Sequence, residues 1–391
     1  MKRILIDSTD SQTRTALMDG NELLEIYIDK ESNRSLIGHV FVGLVLNILP
    51  SQIAFVNIGQ DKAAFLSLKS KHQLKIGQPV LVQVHKDASG SKGATIGTIL
   101  HINGRLSIIY ESDKKEVGIS QKITFHGERD RLRGILKKCL PQGYGAIART
   151  NSENQDESAI TEEINRLVGL HKYIVDRSQH MKPPTLVYQE NTLIFDMLSA
   201  DVKEILINNE DEYLGIIKNI KSWAPEMADR VKLYNENDDI QLFSRYNVER
   251  QITEALERKV WLPCGGYVTF EQTEACVIID VNTGRFLGKK SMRETILYTN
   301  LEAAACIAHQ IRLRNSSGMI IVDFIDMDYA EDTQALTSAF KSAIKKDRIR
   351  TTIVGMTQLG LMQLTRRKTR DSLSRIMEEP CPVCKGTGVV C

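Results

Sequence analysis

Two aspartates in the C-terminal third of the 391-residue chain stand at the ends of short apolar runs. Asp280 follows Ala275-Cys276-Val277-Ile278-Ile279, and Asp323 follows Met319-Ile320-Ile321-Val322. Runs of this length and composition read as buried strands. Two carboxylates brought together with no neutralising partner close in sequence invite a hard divalent cation. Mg²⁺ suits such a place, since it takes one or two carboxylates and keeps its waters. An ion held so activates water and stabilises charge on a phosphoryl oxygen. Asp326 and Asp328 are further oxygen ligands, harder to aim because side chains alternate along an extended chain. A second chemistry-bearing pair, Cys381 and Cys384, has metal-ligand spacing.

The aspartates depend on the elements around them. Glu294 to Arg314 reads as one amphipathic helix, with Ile296, Leu301, Ala304, Ala305, Ala308 and Ile311 on its apolar side. Asn315-Ser316-Ser317-Gly318 stops it, Gly318 being free to take the left-handed cap. Strand, helix, strand with one crossover helix predicts a parallel pair. Both carboxylates then emerge at the C-terminal edge of the sheet, where open α/β sheets bind ligands. The competing reading is that each aspartate caps the loop after it. Asp280 before Val281-Asn282-Thr283-Gly284-Arg285 fits an Asx turn. The residues alone leave both readings open.

Composition sets the outer bounds. With 42% hydrophobic and 26% charged residues, the chain reads as an ordinary globular protein of two to four domains. No uncharged apolar run approaches the roughly 18 residues needed to span a bilayer. The N-terminal Met1-Lys2-Arg3-Ile4-Leu5-Ile6-Asp7 meets an acid too early for a signal peptide. A cytoplasmic protein with reduced thiols is expected, and the seven cysteines, an odd number, agree. The net charge of +2 points to no partner, but Lys341 to Arg370 holds nine Lys and Arg against the single acid Asp347. Such a stretch attracts phosphates or forms a solvated helix face.

Upstream, residues 2–35 read as a β-meander, with Ile4–Ile6, Thr13–Met18 and Leu23–Ile28 as strands and Asp19-Gly20 as a hairpin turn. Residues 36–98 hold short strands at Val40–Leu46, Ile53–Val56, Ala63–Leu66 and Pro79–Val84, the spacing of a small barrel. Phe55 and Phe65 lie within it, with Lys86 and Lys92 beyond. Aromatic platforms and cations are how OB-type barrels hold single strands, although spacing alone favours core positions for both rings. Residues 99–190 mix strands with charged helical text, and Ser152 to Glu163 reads as a helix start or a surface loop. Val202–Ile207 is an apolar run. Val248 to Val260 has helical spacing at Val248, Ile252, Ala255 and Leu256.

Four motifs in order carry a family resemblance. They are Ile279-Asp280-Val281-Asn282-Thr283-Gly284-Arg285, Thr299-Asn300-Leu301-Glu302-Ala303-Ala304, Ile321-Val322-Asp323-Phe324-Ile325-Asp326-Met327 and Cys381-Pro382-Val383-Cys384-Lys385-Gly386-Thr387-Gly388. Together they closely resemble the ribonuclease E/G family, and the resemblance extends over essentially the whole chain, weakest around 150–225. It implies a multidomain α/β architecture. A discontinuous RNase H-like subdomain takes 1–35 and 195–258, an inserted OB-fold RNA-binding barrel 36–98, and a 5′-sensor region 99–194. A DNase-I-like catalytic subdomain at 259–378 and a zinc-link at 379–391 follow. It implies that Asp280 and Asp323 hold a catalytic Mg²⁺ and that Asn282 orients Asp280 or the substrate. Phe55, Phe65, Lys86 and Lys92 become RNA-binding residues, which reverses the core reading of the phenylalanines. Arg149 and Thr150 form a pocket for a 5′-monophosphate, with Gly104 and Ile108 as its other wall. Forked arginine contacts suit a terminal phosphate.

Zinc wants four ligands and Cys381 and Cys384 supply two. Cys391 is a conceivable third, and a redox pair lacks a thioredoxin-like setting. The resemblance implies that two protomers each contribute one pair, which makes metal binding and homodimerisation one equilibrium. Longer relatives continue past this motif with a small domain that pairs dimers into tetramers, so a dimer is the expectation here. The expected activity is hydrolysis of single-stranded RNA, among it rRNA precursors and mRNA, to 5′-phosphate and 3′-hydroxyl ends. It would be stimulated by a 5′-monophosphate. The rival expectation is a non-cleaving RNA-binding protein of ribosome or RNA-complex assembly. A metal phosphohydrolase on small nucleotides would leave the barrel without purpose.

Overall fold

A computed structural model describes residues 1–30, 35–68, 74–88, 92–190, 197–198, 201–223, 225–235, 240–284, 291–379 and 381–384. The chain divides into two compact units, Met1–Ile28 with Leu206–Asn209 and Leu233–Cys391, and Asp29–Ile205 with Glu210–Lys232.

In the first unit the strands Lys2–Ser8, Gln12–Asp19 and Glu22–Lys30 follow the expected meander. Gly20 takes φ +59° in the turn, a conformation that costs a glycine least. Leu5, Met18, Leu23 and Phe243 fill the core beneath. The same unit contains a six-stranded sheet in the order Lys259–Trp261, Tyr267–Gln272, Cys276–Asn282, Gly318–Asp323, Leu361–Arg366, Thr351–Met356. Cys276–Asn282 and Gly318–Asp323 are parallel, as a crossover helix requires. Every other neighbouring pair in this sheet is antiparallel.

One face of that sheet is buried. Val268, Phe270, Val277, Ile279, Val281, Ile320, Val322, Met362 and Leu364 pack with Ala304, Ile307, Ile311, Leu336 and Phe340. The last five belong to the helices Met292–Leu313 and Ala330–Ile344. The alternate residues, among them Lys259, Ile278 and Met319, are exposed. An alternating strand thus has one dry and one open side.

The crossover helix begins two residues before the expected start, at Met292, where Ser291 and Glu294 form a capping box. Its cap differs from expectation. The cap itself is made by Asn315, with φ +49°, while Gly318 takes φ +86° at the start of the returning strand. The Ser316 N–H donates to Ile311 O at 3.0 Å and the Asn315 N–H to Arg312 O at 3.3 Å, a Schellman pattern. Ala305, expected on the apolar side, is exposed, while Ile307 is fully buried.

The second unit holds the barrel. Val40–Leu49, Ile53–Asn57, Ala64–Ser67, Thr95–Gly97 and Pro79–Lys86 are paired in that order, and Pro79–Lys86 pairs back onto Val40–Leu49 to close it. Closure leaves no free edge among these five strands. Thr185–Tyr188 adds alongside Val40–Leu49. A four-stranded sheet follows, in the order Val117–Ile119, Tyr144–Ala148, Ser107–Glu111, His101–Asn103. The helices His126–Cys139 and Glu157–Gln179 share its core through Leu132, Leu136, Ile160, Ile164 and Leu167. Among the described residues no helix is long and apolar enough to cross a membrane.

Candidate active site

Asp280 and Asp323 are register partners on the two parallel strands. Partners on neighbouring strands lie about 4.8 Å apart along the backbone and project to the same face. For this pair it is the open face, because Ile279, Val281 and Val322 between them are buried. The Cys276–Asn282 strand runs on past Asp280 instead of ending there, so the carboxylate sits on the sheet and not in a loop. Asn282, two residues on, shares its face, and its Nδ2 donates to Asp280 Oδ2 at 2.5 Å. That bond fixes one oxygen of Asp280 and leaves the carboxylate in the strand, unlike a loop cap.

The electrostatics are those of crowded like charges. Burial, and after it the charges of Asp280 and Asp326, push the Asp323 carboxyl above its ordinary value. A divalent cation relieves this kind of repulsion. Among the described residues no three or more His, Cys, Asp or Glu side chains converge as a complete cage. A carboxylate pair of this kind suits an ion that retains much of its hydration.

Two side chains that the sequence reading passed over hold this region. Asn300, wholly buried on the crossover helix, donates from Nδ2 to Ile325 O at 2.8 Å and accepts from the Ile325 N–H at 3.1 Å. It fixes the turn by which the chain leaves Asp323 for Asp326. Glu302 accepts the Cys264 N–H at 3.0 Å. The Asn282-Thr283-Gly284 turn lies close against Gly265-Gly266. A Cβ on Gly284 would meet Gly265 O at 2.5 Å, and its φ is +59°. Arg285, in the same motif, lies outside the described residues. A buried polar residue in the middle of an apolar helix face was the available signal for Asn300, because such a group must be hydrogen-bonded.

On the barrel, Phe55 and Phe65 are register partners, with ring centroids 6.5 Å apart and planes at 80°. Both are half-buried on the outer side, while Ala54, Val56, Ala64 and Leu66 fill the interior. The row continues through Thr95 to Lys86, and on the other side to Asn47. Lys86 and Lys92 are exposed. The two rings are thus wall, not core.

Arg149 and Gly104 are in contact, the Arg149 Nη1 donating to Gly104 O at 2.9 Å. The Arg149 N–H donates to Leu106 O at 2.7 Å. Thr150 is exposed in a short 3₁₀ turn, its hydroxyl 3.1 Å from that of Ser120. Ile108 pairs with Ile147, two residues before Arg149, and is partly exposed. The loop at Gly104 is held from below by Glu163. That carboxylate accepts the Arg105, Leu106 and Ser107 N–H groups and the Ser107 hydroxyl at 2.8–3.1 Å. A Cβ on Gly104 would meet Glu163 Oε1 at 2.6 Å. Cys381 is exposed and Cys384 half-buried at the ends of a turn, and Cys391 lies outside the described residues. Of the basic stretch, Lys341, Lys345, Lys346, Arg350, Arg367 and Lys368 are exposed, while two arginines are spent on structure. Arg366 is buried against Asp347 at 2.6 Å, and Arg348 pairs with the buried Glu25.

The family model described as the ribonuclease E/G family matches residues 101–369. Ribonuclease G of Escherichia coli strain K12 is 33% identical over 413 aligned positions, covering 99% of this chain and 84% of that protein. The chain belongs to the ribonuclease E/G family. Ribonuclease G of Haemophilus influenzae is 34% identical with the same coverage. Ribonuclease E of E. coli K12 is 32% identical over all of this chain but only 39% of its own length. The family match takes in the carboxylate pair, Asn282, Asn300 and the Gly104–Arg149 contact alike.

Proposed function

We propose that this chain is an endoribonuclease that hydrolyses single-stranded RNA in rRNA maturation and mRNA turnover. The observation that carries this is the register pairing of Asp280 with Asp323 on the open face of a sheet, in a chain similar along its length to proteins named ribonuclease G. Asp280 and Asp323 would hold Mg²⁺. When bound, such an ion supplies Lewis-acid activation of water and charge stabilisation on the phosphoryl oxygen. Asn282 keeps Asp280 aimed outward, and Asn300 keeps the chain after Asp323 in place. Phe55 and Phe65 stack bases and Lys86 and Lys92 neutralise phosphates, so the barrel binds an unpaired strand without reading its sequence closely. Arg149 and Thr150, with Gly104 and Ile108 as the opposing wall, bind a 5′-monophosphate. The contact of Arg149 with Gly104 supports that pocket.

In this reading the N-terminal strands are one piece of an RNase H-like subdomain and the six-stranded sheet belongs to a DNase-I-like one. Cys381 and Cys384 supply half of a zinc site, completed by a second protomer. Exposure of Cys381 supports it, since a ligand shared between chains must be reachable. The test is the double variant Asp280→Asn with Asp323→Asn on a 5′-monophosphorylated, A/U-rich oligoribonucleotide with Mg²⁺. Cleavage should fall to background while RNA binding persists. Cleavage at the parental rate removes the assignment.

A further inference from the structure

The open face of the six-stranded sheet carries a second group of side chains that the cleavage reading does not use. Lys259 is in register with Thr269, Thr269 with Asp280, and Asp280 with Asp323. One step along, Trp261 is in register with Tyr267 and Tyr267 with Asn282. Register partners share a face. Trp261, Tyr267 and Lys259 therefore stand on the same side of the sheet as the carboxylate pair.

The three form a compact cluster. The Trp261 and Tyr267 ring centroids are 5.5 Å apart at 65°. Lys259 Nζ lies 4.0 Å from the centroid of the Trp261 ring and 3.5 Å from that of Tyr267. Yet 63% of Trp261 faces solvent. A tryptophan that contributes its large apolar surface to water adds little to the core. Its cation–π contact with Lys259 is the weak kind found at exposed sites. The cluster's composition is that of a single-strand binding platform, an open aromatic face beside a cation. Asn282 is two strands from Trp261, about 10 Å along the sheet, a distance that suits a nucleotide flanking one whose phosphate is at Asp280.

We propose that Trp261, braced by Tyr267, stacks on an unpaired base that flanks the scissile phosphodiester, while Lys259 contacts that nucleotide's phosphate. This rests on the cleavage reading for the identity of the ligand, an RNA strand. Trp261→Ala should raise KM for a short unstructured oligoribonucleotide by about 5- to 150-fold, the range for losing one stacked base. Trp261→Phe should recover most of the loss. An abasic site scanned along the substrate should raise the wild-type KM at one flanking position and add nothing further in Trp261→Ala. Equal KM values for wild type and Trp261→Ala, with identical abasic profiles, overturn the platform.

A binding arm separates the two readings. In a Trp223→Phe chain Trp261 is the sole tryptophan. With EDTA present, titration with the same oligoribonucleotide should quench its emission in step with the anisotropy of labelled RNA. Binding without quenching overturns the platform and leaves cleavage untouched. Quenching in the Trp223→Phe chain, with a wild-type chain that never cuts under Mg²⁺, keeps the platform and removes the nuclease reading. No binding of RNA at all overturns both.

Discussion

Asn282 is worth most to this site for what it does to Asp280. A carboxylate beside a second one tends to rotate away or take a proton, and the 2.5 Å bond from Asn282 Nδ2 opposes the rotation. Groups that orient a metal-holding side chain cost about 10- to 100-fold in activity or metal affinity when removed. Asn282→Ala should therefore raise the Mg²⁺ concentration for half-maximal cleavage by that order, while the fold is unchanged by circular dichroism. On the other unit, Arg149→Ala should slow cleavage of 5′-monophosphorylated RNA and hardly affect 5′-hydroxyl RNA. Equal losses on both substrates would remove the sensor role. Asp280 and Asp323 were legible because each ends a run whose alternate residues are apolar. Asn300 was not assigned a role, because its partners are the backbone of Ile325, 25 residues away, and nothing local announces them.

Elements were legible where an apolar period stood out, and the 23-residue helix Glu157–Gln179 was read only as charged helical text. The Met292–Leu313 helix repeats its apolar pattern over 22 residues, enough for the period to stand out. Its stop falls where expected, but the cap is Asn315 and not Gly318, since both residues take positive φ and the sequence does not rank them. The strand Lys259–Trp261 was invisible, since three residues carry no period and their text ran on from the helix Val248–Leu256. Thr95–Gly97, which completes the barrel, was missed for the same reason. Glu25, on the Glu22–Lys30 strand, shows how such elements are tied to distant ones. It accepts from Arg312 at 2.5 Å and from Arg348, and Tyr27 OH donates to it at 2.9 Å. Burial alone would push its carboxyl up, but Arg348 and Arg312 outweigh burial and hold it below its ordinary value. A depressed carboxyl contributes stability above its unfolded-state pKa and loses it as pH falls through the folded one. Glu25→Gln should cost about 3–5 kcal/mol at neutral pH, as for a broken buried pair. The gap from wild type should narrow below about pH 4, as read from urea midpoints at several pH values.

At the scale of the molecule, the residues proposed to bind the strand and its 5′ end and those proposed to cut it lie in different compact units, with the Trp261 platform beside the proposed cutting pair. The barrel and the Gly104–Arg149 loop belong to one compact unit, and the carboxylate pair with the Cys381–Cys384 turn to the other. Assembly of whole chains is a further level. Cys381→Ser with Cys384→Ser should shift the protein toward monomer in sedimentation and release bound zinc, and an unchanged dimer would locate the interface elsewhere. The order of elements within the first unit also has a temporal side. Asp280 and Asp323 become neighbours only when a strand, a 22-residue helix and a returning strand have all been laid down. Parallel pairing of this kind closes a long loop before any contact rewards it, which makes it slow. On the proposed reading, a ribosome-bound chain that has not yet emitted its returning strand holds a lone carboxylate and lacks the pair on which cutting depends.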